Sequence, residues 1–295
     1  MDEGKKMAQT TAPPSEEGIP EQAQLLIRIG KLTHRQVKRI TAAQRKTGQS
    51  FATTAYDMRL LSREDFMSAL SQQYSYPILT IDPDAHHFSQ ELVVGHEPFS
   101  AASEQIRSIR ANLVASAVGK GTRSFVVTSA RAGSGGTYFA ANIAMAFAQM
   151  AVPTLLVDAD LRRPRLAGMF GLSPTTEGLC QALRREKNGS PFITSNIIDR
   201  LSILTAGAVP PNPQELLGSA EFLALTNNME KEFGVVIYDT SSAMEYADAF
   251  VIASRVGGAI IVARQHKTTF ADISDVSAKL RSLQCKFVGT VLNTF

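Results

Sequence analysis

From Ser124 onward, apolar runs of strand length alternate with longer helix-like segments. "SFVVTS", "TLLVDAD", "VVIYDTS", "GAIIVAR" and "FVGTVLN" read as strands, and "TYFAANIAMAFAQM" after the first of them reads as a helix. Such alternation predicts an α/β domain, a doubly wound parallel sheet with helices on both faces. Upstream, the pattern over residues 24–80 is helical and repeats itself. "LIRIGKLTHRQVKRITAAQ" ends at Gln44, and "AYDMRLLSREDFMSALSQQ" ends 29 residues later at Gln73. Each unit has a short helical end, a turn, a polar cap (Thr33 or Ser62) and an amphipathic helix. Ser62 with Asp65 forms a loose capping box.

These patterns divide the chain. Residues 1–23 are rich in Pro, Glu, Ser, Gln and Lys with few large apolar side chains, which predicts a disordered tail. Residues 24–80 form a small helical domain. "SYPILTIDPDAHHF" breaks the helical pattern with two prolines, so residues 81–95 read as a linker. Residues 96–295 make the α/β domain.

Composition narrows the classes. With 44% hydrophobic and 19% charged residues the chain can bury a core, and a net charge of +3 is too small to imply a nucleic-acid partner. Cys180 and Cys285 lie far apart without metal-ligand or redox spacing and read as reduced thiols of a cytosolic protein. The polar, charged start from Met1 to Gly18 predicts no secretory leader. Ala132 to Val157 carries no charge, but its Ser134, Asn142, Gln149, Pro153 and three glycines make a poor membrane span. A buried helix followed by a buried parallel strand explains it better.

In open α/β sheets ligands gather at the carboxyl ends of strands. Three such ends carry polar chemistry here: the loop after Ser129, the pair Asp158 and Asp160, and Asp239. In "TSARAGSGGTYF", Gly133, Gly135 and Gly136 leave room for backbone N–H groups to turn toward a phosphate, with a helix N-terminus behind them. Thr137 has the place of a magnesium-binding hydroxyl, and Asp239 suits a metal-facing carboxylate. Gly136 stands where G-x-x-x-x-G-K-[ST] requires lysine. Arg131, five residues earlier, either reaches the phosphates in its stead or is a solvated loop arginine.

Longer segments resemble the bacterial protein-tyrosine kinase family of exopolysaccharide and capsule chain-length control. "DADLRRPRLAGMFGL" resembles its Walker A′ segment, "TAGAVPPNPQELLGSAEFLAL" its PPNP-x-ELL segment, and "VVIYDTSSAMEYADA" its Walker B run. "EQIRSIRANL" is similar to its E-x-x-R-x-x-R helix through Glu104, Arg107 and Arg110. The resemblance covers about residues 95–295 and implies a P-loop NTPase fold. It implies ATP or ADP with Mg²⁺ as ligands, Asp158, Asp160, Asp239 and Thr137 at the metal, and Asp160 as the group that activates a hydroxyl. It implies self-association, or a mixed ring, through Glu104, Arg107 and Arg110. Its partner would be the cytoplasmic segment of a Wzz-like transmembrane polysaccharide co-polymerase, which places the chain in the cytoplasm at the inner membrane. The repeat over 24–80 resembles the amino-terminal domain of type II secretion and pilus ATPases. Some of these bind cyclic di-GMP. Gly30, Gln44 and Gln73 match that pattern, whereas Ala52 and Arg59 replace expected glycines, so protein docking is the preferred expectation.

Departures from the kinase pattern set the functional expectation. Gly136 replaces the lysine, Ser241 and Ser242 replace Pro-Pro, and "VLNTF" follows the last strand without a tyrosine cluster. Metal carboxylates and the assembly helix remain. A pseudokinase scaffold of exopolysaccharide synthesis is the leading expectation. An active kinase using Arg131 is the enzyme alternative, and a ParA/MinD-type positioning ATPase is a third reading, disfavoured by the PPNP segment and the arginine motif.

Overall fold

The structure, a computed structural model, describes residues 21–62, 65–66, 69, 88–98, 100–173, 176–184 and 194–294. The chain divides into two compact units, Met1–Tyr76 and Pro77–Phe295.

In the first unit, α1 (Glu21–Arg28), α2 (His34–Thr47) and α3 (Phe51–Asp57) enclose a small apolar core. The 29-residue repeat is physical. Leu26, Leu32, Val37 and Ile40 are buried, and so are Ala55, Leu61, Phe66 and Ala69, their equivalents one repeat later. The turn between helices recurs as well. Gly30 has φ +76°, and Arg59, at the same place in the second unit, is forced to φ +53°. The Lys31 N–H donates to the Leu26 carbonyl, as the Leu60 N–H does to Ala55. Thr33 caps α2 in a full capping box with Gln36, and the Asp65 N–H donates to Ser62 Oγ at 3.0 Å.

The second unit runs α4 (Val93–His96), α5 (Ala101–Ser116), β1 (Ser124–Ser129), α6 (Gly136–Ala148), β2 (Thr154–Asp158), α7 (Leu166–Met169), α8 (Leu179–Arg184), β3 (Thr194–Ile198) and β4 (Leu201–Leu204). It continues with α9 (Pro213–Leu217), α10 (Ala220–Glu232), β5 (Val235–Asp239), α11 (Asp248–Ala253), β6 (Gly258–Arg264), α12 (Phe270–Ser282) and β7 (Lys286–Asn293). The sheet order is β3-β4-β2-β5-β1-β6-β7. Neighbouring strands run parallel throughout except for β3, which lies antiparallel on β4 at the edge.

Successive side chains of each central strand enter opposite layers, the period-two rule of a pleated strand. Phe125, Val127, Leu156, Ile237 and Ile260 join one apolar layer, while Val126, Leu155, Val236 and Ile261 join the other. Helix α6 covers the first layer, and its residues Phe139 to Ala148 are all buried. That burial explains the charge-free stretch. Among the described residues no helix is long and apolar enough to cross a membrane.

Residues 88–95, expected within the linker, are instead packed onto the α/β unit. Leu92 and Val94 are buried in the α6 layer, and the Ser89 N–H donates to the Met169 carbonyl. Asn142, fully buried on α6, explains this attachment. Its Oδ1 accepts the Val94 N–H at 3.0 Å and its Nδ2 donates to the Glu91 carbonyl at 2.8 Å. An apolar helix with one buried amide needs polar backbone against it. Residues 81–87 lie outside the described residues, as do the tail 1–20 and Gln73.

Candidate phosphate and metal site

The site begins where β1 ends. Gly133 (φ +70°) and Gly135 (φ +90°) take left-handed conformations that let the chain curl back and enter α6. Gly135 is the N-cap of α6, and no side chain caps that end. The first N–H groups of a helix have no partner within it, and the helix dipole favours an anion there. Gly136 opens the helix without a positive φ, and a Cβ built on it meets nothing within 4 Å. A side chain at this position therefore starts into open space. What Gly136 removes is charge, not space.

Sheet register supplies the acids. Asp158 and Asp239 end β2 and β5 and are direct neighbours in the ladder. Two residues before them, Leu156 and Ile237 point into the α6 layer, so both carboxylates point to that side as well. Both are buried, Asp158 at 0% and Asp239 at 1% exposure. Asp158 Oδ2 accepts the Leu166 N–H at 3.0 Å. Asp158 Oδ1 and both oxygens of Asp239 have no hydrogen-bond partner.

Burial pushes the Asp158 carboxyl up to about 7, against the pull of the Leu166 N–H and with a further push from Asp160. Burial also raises Asp239 well above the ordinary carboxylate range, and Asp158 beside it adds to the rise. The Thr137 hydroxyl, in the first turn of α6, faces Asp239 and offsets part of this, although no hydrogen bond of normal geometry joins them. Asp160 is half-buried at the turn after β2, where its Oδ1 accepts the N–H groups of Arg162 (3.2 Å) and Arg163 (3.0 Å).

Orphaned acidic oxygens beside an open helix N-terminus fit a hard cation with a phosphate. Among the described residues no three His, Cys, Asp or Glu side chains could hold a metal by themselves. Magnesium does not require that, because it is usually held by one or two carboxylates with waters and ligand phosphates. Asp158, Asp239 and the Thr137 hydroxyl would hold it, with Asp160 at the rim. When bound, it would neutralise charge on a polyphosphate.

Other expected residues are placed differently. Arg131 forms a two-pronged ion pair with Asp272, Nε and Nη2 each 2.8 Å from a carboxylate oxygen. Asp272 also accepts the N–H of Thr269, the N-cap of α12, completing a capping box, and Arg131, its strongest partner, holds its carboxyl below the ordinary range. Arg107 donates to Glu104 at 2.7 Å and to the Pro98 carbonyl, and Arg110 Nη1 donates to the Ala146 carbonyl at 2.6 Å. Glu104, at 73% exposure, is the outward member of that motif. Gly30 and Gln44 belong to the helical unit, where the Gln44 carbonyl accepts the Gly48 N–H that ends α2. In the Walker B run, Ser242 donates to Glu245 at 2.9 Å and the Ser241 hydroxyl is buried without a partner.

Sequence reasoning missed a fourth strand end. Arg264 closes β6, and its Nη1 donates to the Gly133 carbonyl at 3.0 Å. Lys267, three residues on, puts Nζ 2.8 Å from where a Cβ on Gly133 would stand. The signal was present as "ARQHKTT" directly after an apolar strand. Asp248 was missed as well. It is fully buried and paired with Arg162 at 2.6 Å, while the Arg162 guanidinium lies 4.0 Å from the centre of the Tyr246 ring.

No family model matches the chain. The tyrosine-protein kinase YwqD of Bacillus subtilis (strain 168) is 34% identical over 197 residues, which is 67% of this chain and 83% of YwqD. The tyrosine-protein kinase CpsD of Streptococcus agalactiae is 30% identical over 190 residues, 64% of this chain and 82% of CpsD. The crystal structure of the chimerical protein CapA2B2 superposes with a TM-score of 0.65 at 31% identity, covering 79% of this chain and 98% of that one. With that likeness spanning most of each relative, and with the parallel sheet and its strand-end aspartates in place, the chain belongs to the bacterial tyrosine-protein kinase family.

Proposed function

We propose that the chain is a kinase-like module that holds a nucleotide with magnesium, transfers phosphate slowly or not at all, and serves as a scaffold or regulator of capsule or exopolysaccharide synthesis. The observation that carries this reading is Gly136, open to a side chain and lacking one, beside a carboxylate set that is intact. A fixed cation against a phosphate interacts by about 4 kcal/mol at an effective dielectric near 20. Loss of a donor that acts in the transition state typically slows a reaction by about 10²–10³. Binding tolerates that loss better, because backbone N–H groups and the helix dipole hold phosphate without a lysine.

The partner is the cytoplasmic segment of a Wzz-like transmembrane co-polymerase, which keeps the chain peripheral at the inner membrane. Self-association runs through Glu104, with Arg107 and Arg110 fixing the helix that presents it. The helical unit serves protein docking. Its α2 turns Arg35, Lys38 and Arg39 outward, which suits an acidic segment. Cyclic di-GMP is the competing ligand there.

An active kinase is the second reading, favoured by the survival of Asp158, Asp160 and Asp239. Asp160 would then take the proton of the attacking hydroxyl, and Arg131 would have to leave Asp272 to reach a phosphate.

Titration of the full chain with ADP and MgCl₂, together with mass spectrometry after incubation with ATP, separates the readings. Binding without phosphotyrosine is expected, as is ATP turnover gained in Gly136→Lys. Phosphotyrosine that disappears in Asp160→Ala would overturn the scaffold reading.

A further inference from the structure

We propose that Lys267 supplies the phosphate-facing cation that Gly136 lacks, so that the charge comes from the β6–α12 turn rather than from the loop itself. The inference rests on the reading of this site as a nucleotide site and names the residue that makes it work.

The β6–α12 turn is built against the loop. Arg264 Nη1 donates to the Gly133 carbonyl, and Ser134 Oγ lies 3.5 Å from Thr268 Oγ1. From β7, Asn293 Nδ2 donates to the Ser134 carbonyl at 3.2 Å. These contacts fix the turn's position, and within it Lys267 reaches the loop backbone itself. Its ammonium occupies the space that any side chain on Gly133 would fill. Glycine at 133 thus serves two ends, the left-handed turn and the close approach of a cation.

Charge argues that something else belongs there. Arg131 and Lys267 bring two cations to a loop whose N–H groups already favour anions. Of the acids, Asp272 pairs with Arg131. Lys267 Nζ makes no hydrogen bond or ion pair among the described residues. Across the loop, Asp158 and Asp239 keep three orphaned oxygens. An uncompensated ammonium on one side and uncompensated carboxylates on the other suit one ligand: a magnesium-bound di- or triphosphate, with the metal on the acids and an anionic oxygen toward Lys267. Arg131 is the weaker candidate, since reaching a phosphate would break both of its bonds to Asp272. Lys267 gives up nothing, and its flexible stem can follow the phosphate.

Calorimetric titration of the full chain with ADP and MgCl₂ tests this. Lys267 is exposed, so Lys267→Ala is expected to fold as the parent does, which circular dichroism checks. It is expected to bind about tenfold to a hundredfold more weakly, the range for a hydrogen bond between charged groups. Adding Gly136→Lys to Lys267→Ala is expected to restore affinity. Parental affinity in Lys267→Ala overturns the assignment and leaves the nucleotide reading standing, and a loss in Arg131→Ala alone returns the role to Arg131. If the parent itself gives no heat with millimolar ADP and MgCl₂, the nucleotide reading falls and takes this assignment with it.

Discussion

Two sets of charged side chains in the α/β unit face opposite ways in energy. Asp158 and Asp239 are as buried as the leucines around them, yet three of their four oxygens meet no donor. Arg107 and Arg110 of α5 are more exposed, yet they engage Glu104 and the carbonyls of Pro98 and Ala146. A buried polar atom without a partner costs about 1–3 kcal/mol, and more when charged. Three such oxygens gather at two adjacent strand ends, and on the proposed reading a magnesium-bound ligand offsets that cost. The α5 motif, by contrast, helps hold its own helix in place.

Breaking the acidic pair should have the largest effect. Asp239→Asn is expected to weaken magnesium-dependent ADP binding by roughly a hundredfold, about 2.7 kcal/mol, while magnesium-free binding changes little. Titrations with MgCl₂ and with EDTA read the difference. Equal binding in parent and variant would remove Asp239 from the metal.

The same pair should make the ligand-free protein pH-sensitive. Both carboxyls have raised pKa values when folded, Asp158 to about 7. The folded protein therefore keeps protons that the unfolded chain loses above about pH 4. Stability from this source is full below that pH and is lost as pH rises through about 7. Asp239→Asn, which removes one of the two buried charges, is expected to be more stable than the parent at pH 8 by about 1–3 kcal/mol and to lose that advantage near pH 5. Thermal melts at both pH values without ligand decide it. A parent whose melting temperature relative to the variant is unchanged between them would contradict the raised pKa values.

Effects on the α5 side should be smaller and of another kind. Arg110→Ala strands the Ala146 carbonyl beside a buried helix and is expected to cost about 1–2 kcal/mol in chemical denaturation. ADP affinity should be unchanged. Smallest is Glu104→Ala, since an exposed pair contributes about 0–1 kcal/mol. It should leave stability within about 0.5 kcal/mol and lower the mass seen by light scattering at low salt. If Glu104→Ala unfolds the protein as readily as Arg110→Ala does, the motif is structural throughout, and the assembly proposal loses its exposed member.

Much of this is legible in the sequence itself. The five strands found in the sequence coincide with β1, β2, β5, β6 and β7 to within two residues, because β1, β2, β5 and β6 carry apolar runs buried on both faces, while the half-exposed edge strand β7 shows instead β-branched and aromatic residues in a short run. The strands β3 and β4 were not found. "SNIIDRLSIL" holds short, interrupted apolar pieces joined by Asp199 and Arg200 without a glycine, although Arg200 sits at φ +67°. The repeat over 24–80 was legible because burial recurs at the same offset as the sequence similarity.

The sequence alone determined five of the seven strands, the helical repeat, the strand ends that bear acids, and the absence of a lysine at position 136. Those depend on local periodicity and on residue identity, which need no partner. Only the tertiary structure decided how charges pair. It set Asp158 beside Asp239 through strand register and drew Arg131 to Asp272, 141 residues away in the chain. It also brought Lys267 onto Gly133. Charge pairing is a matter of distance in space and of burial, and neither is written in the spacing of residues along the chain.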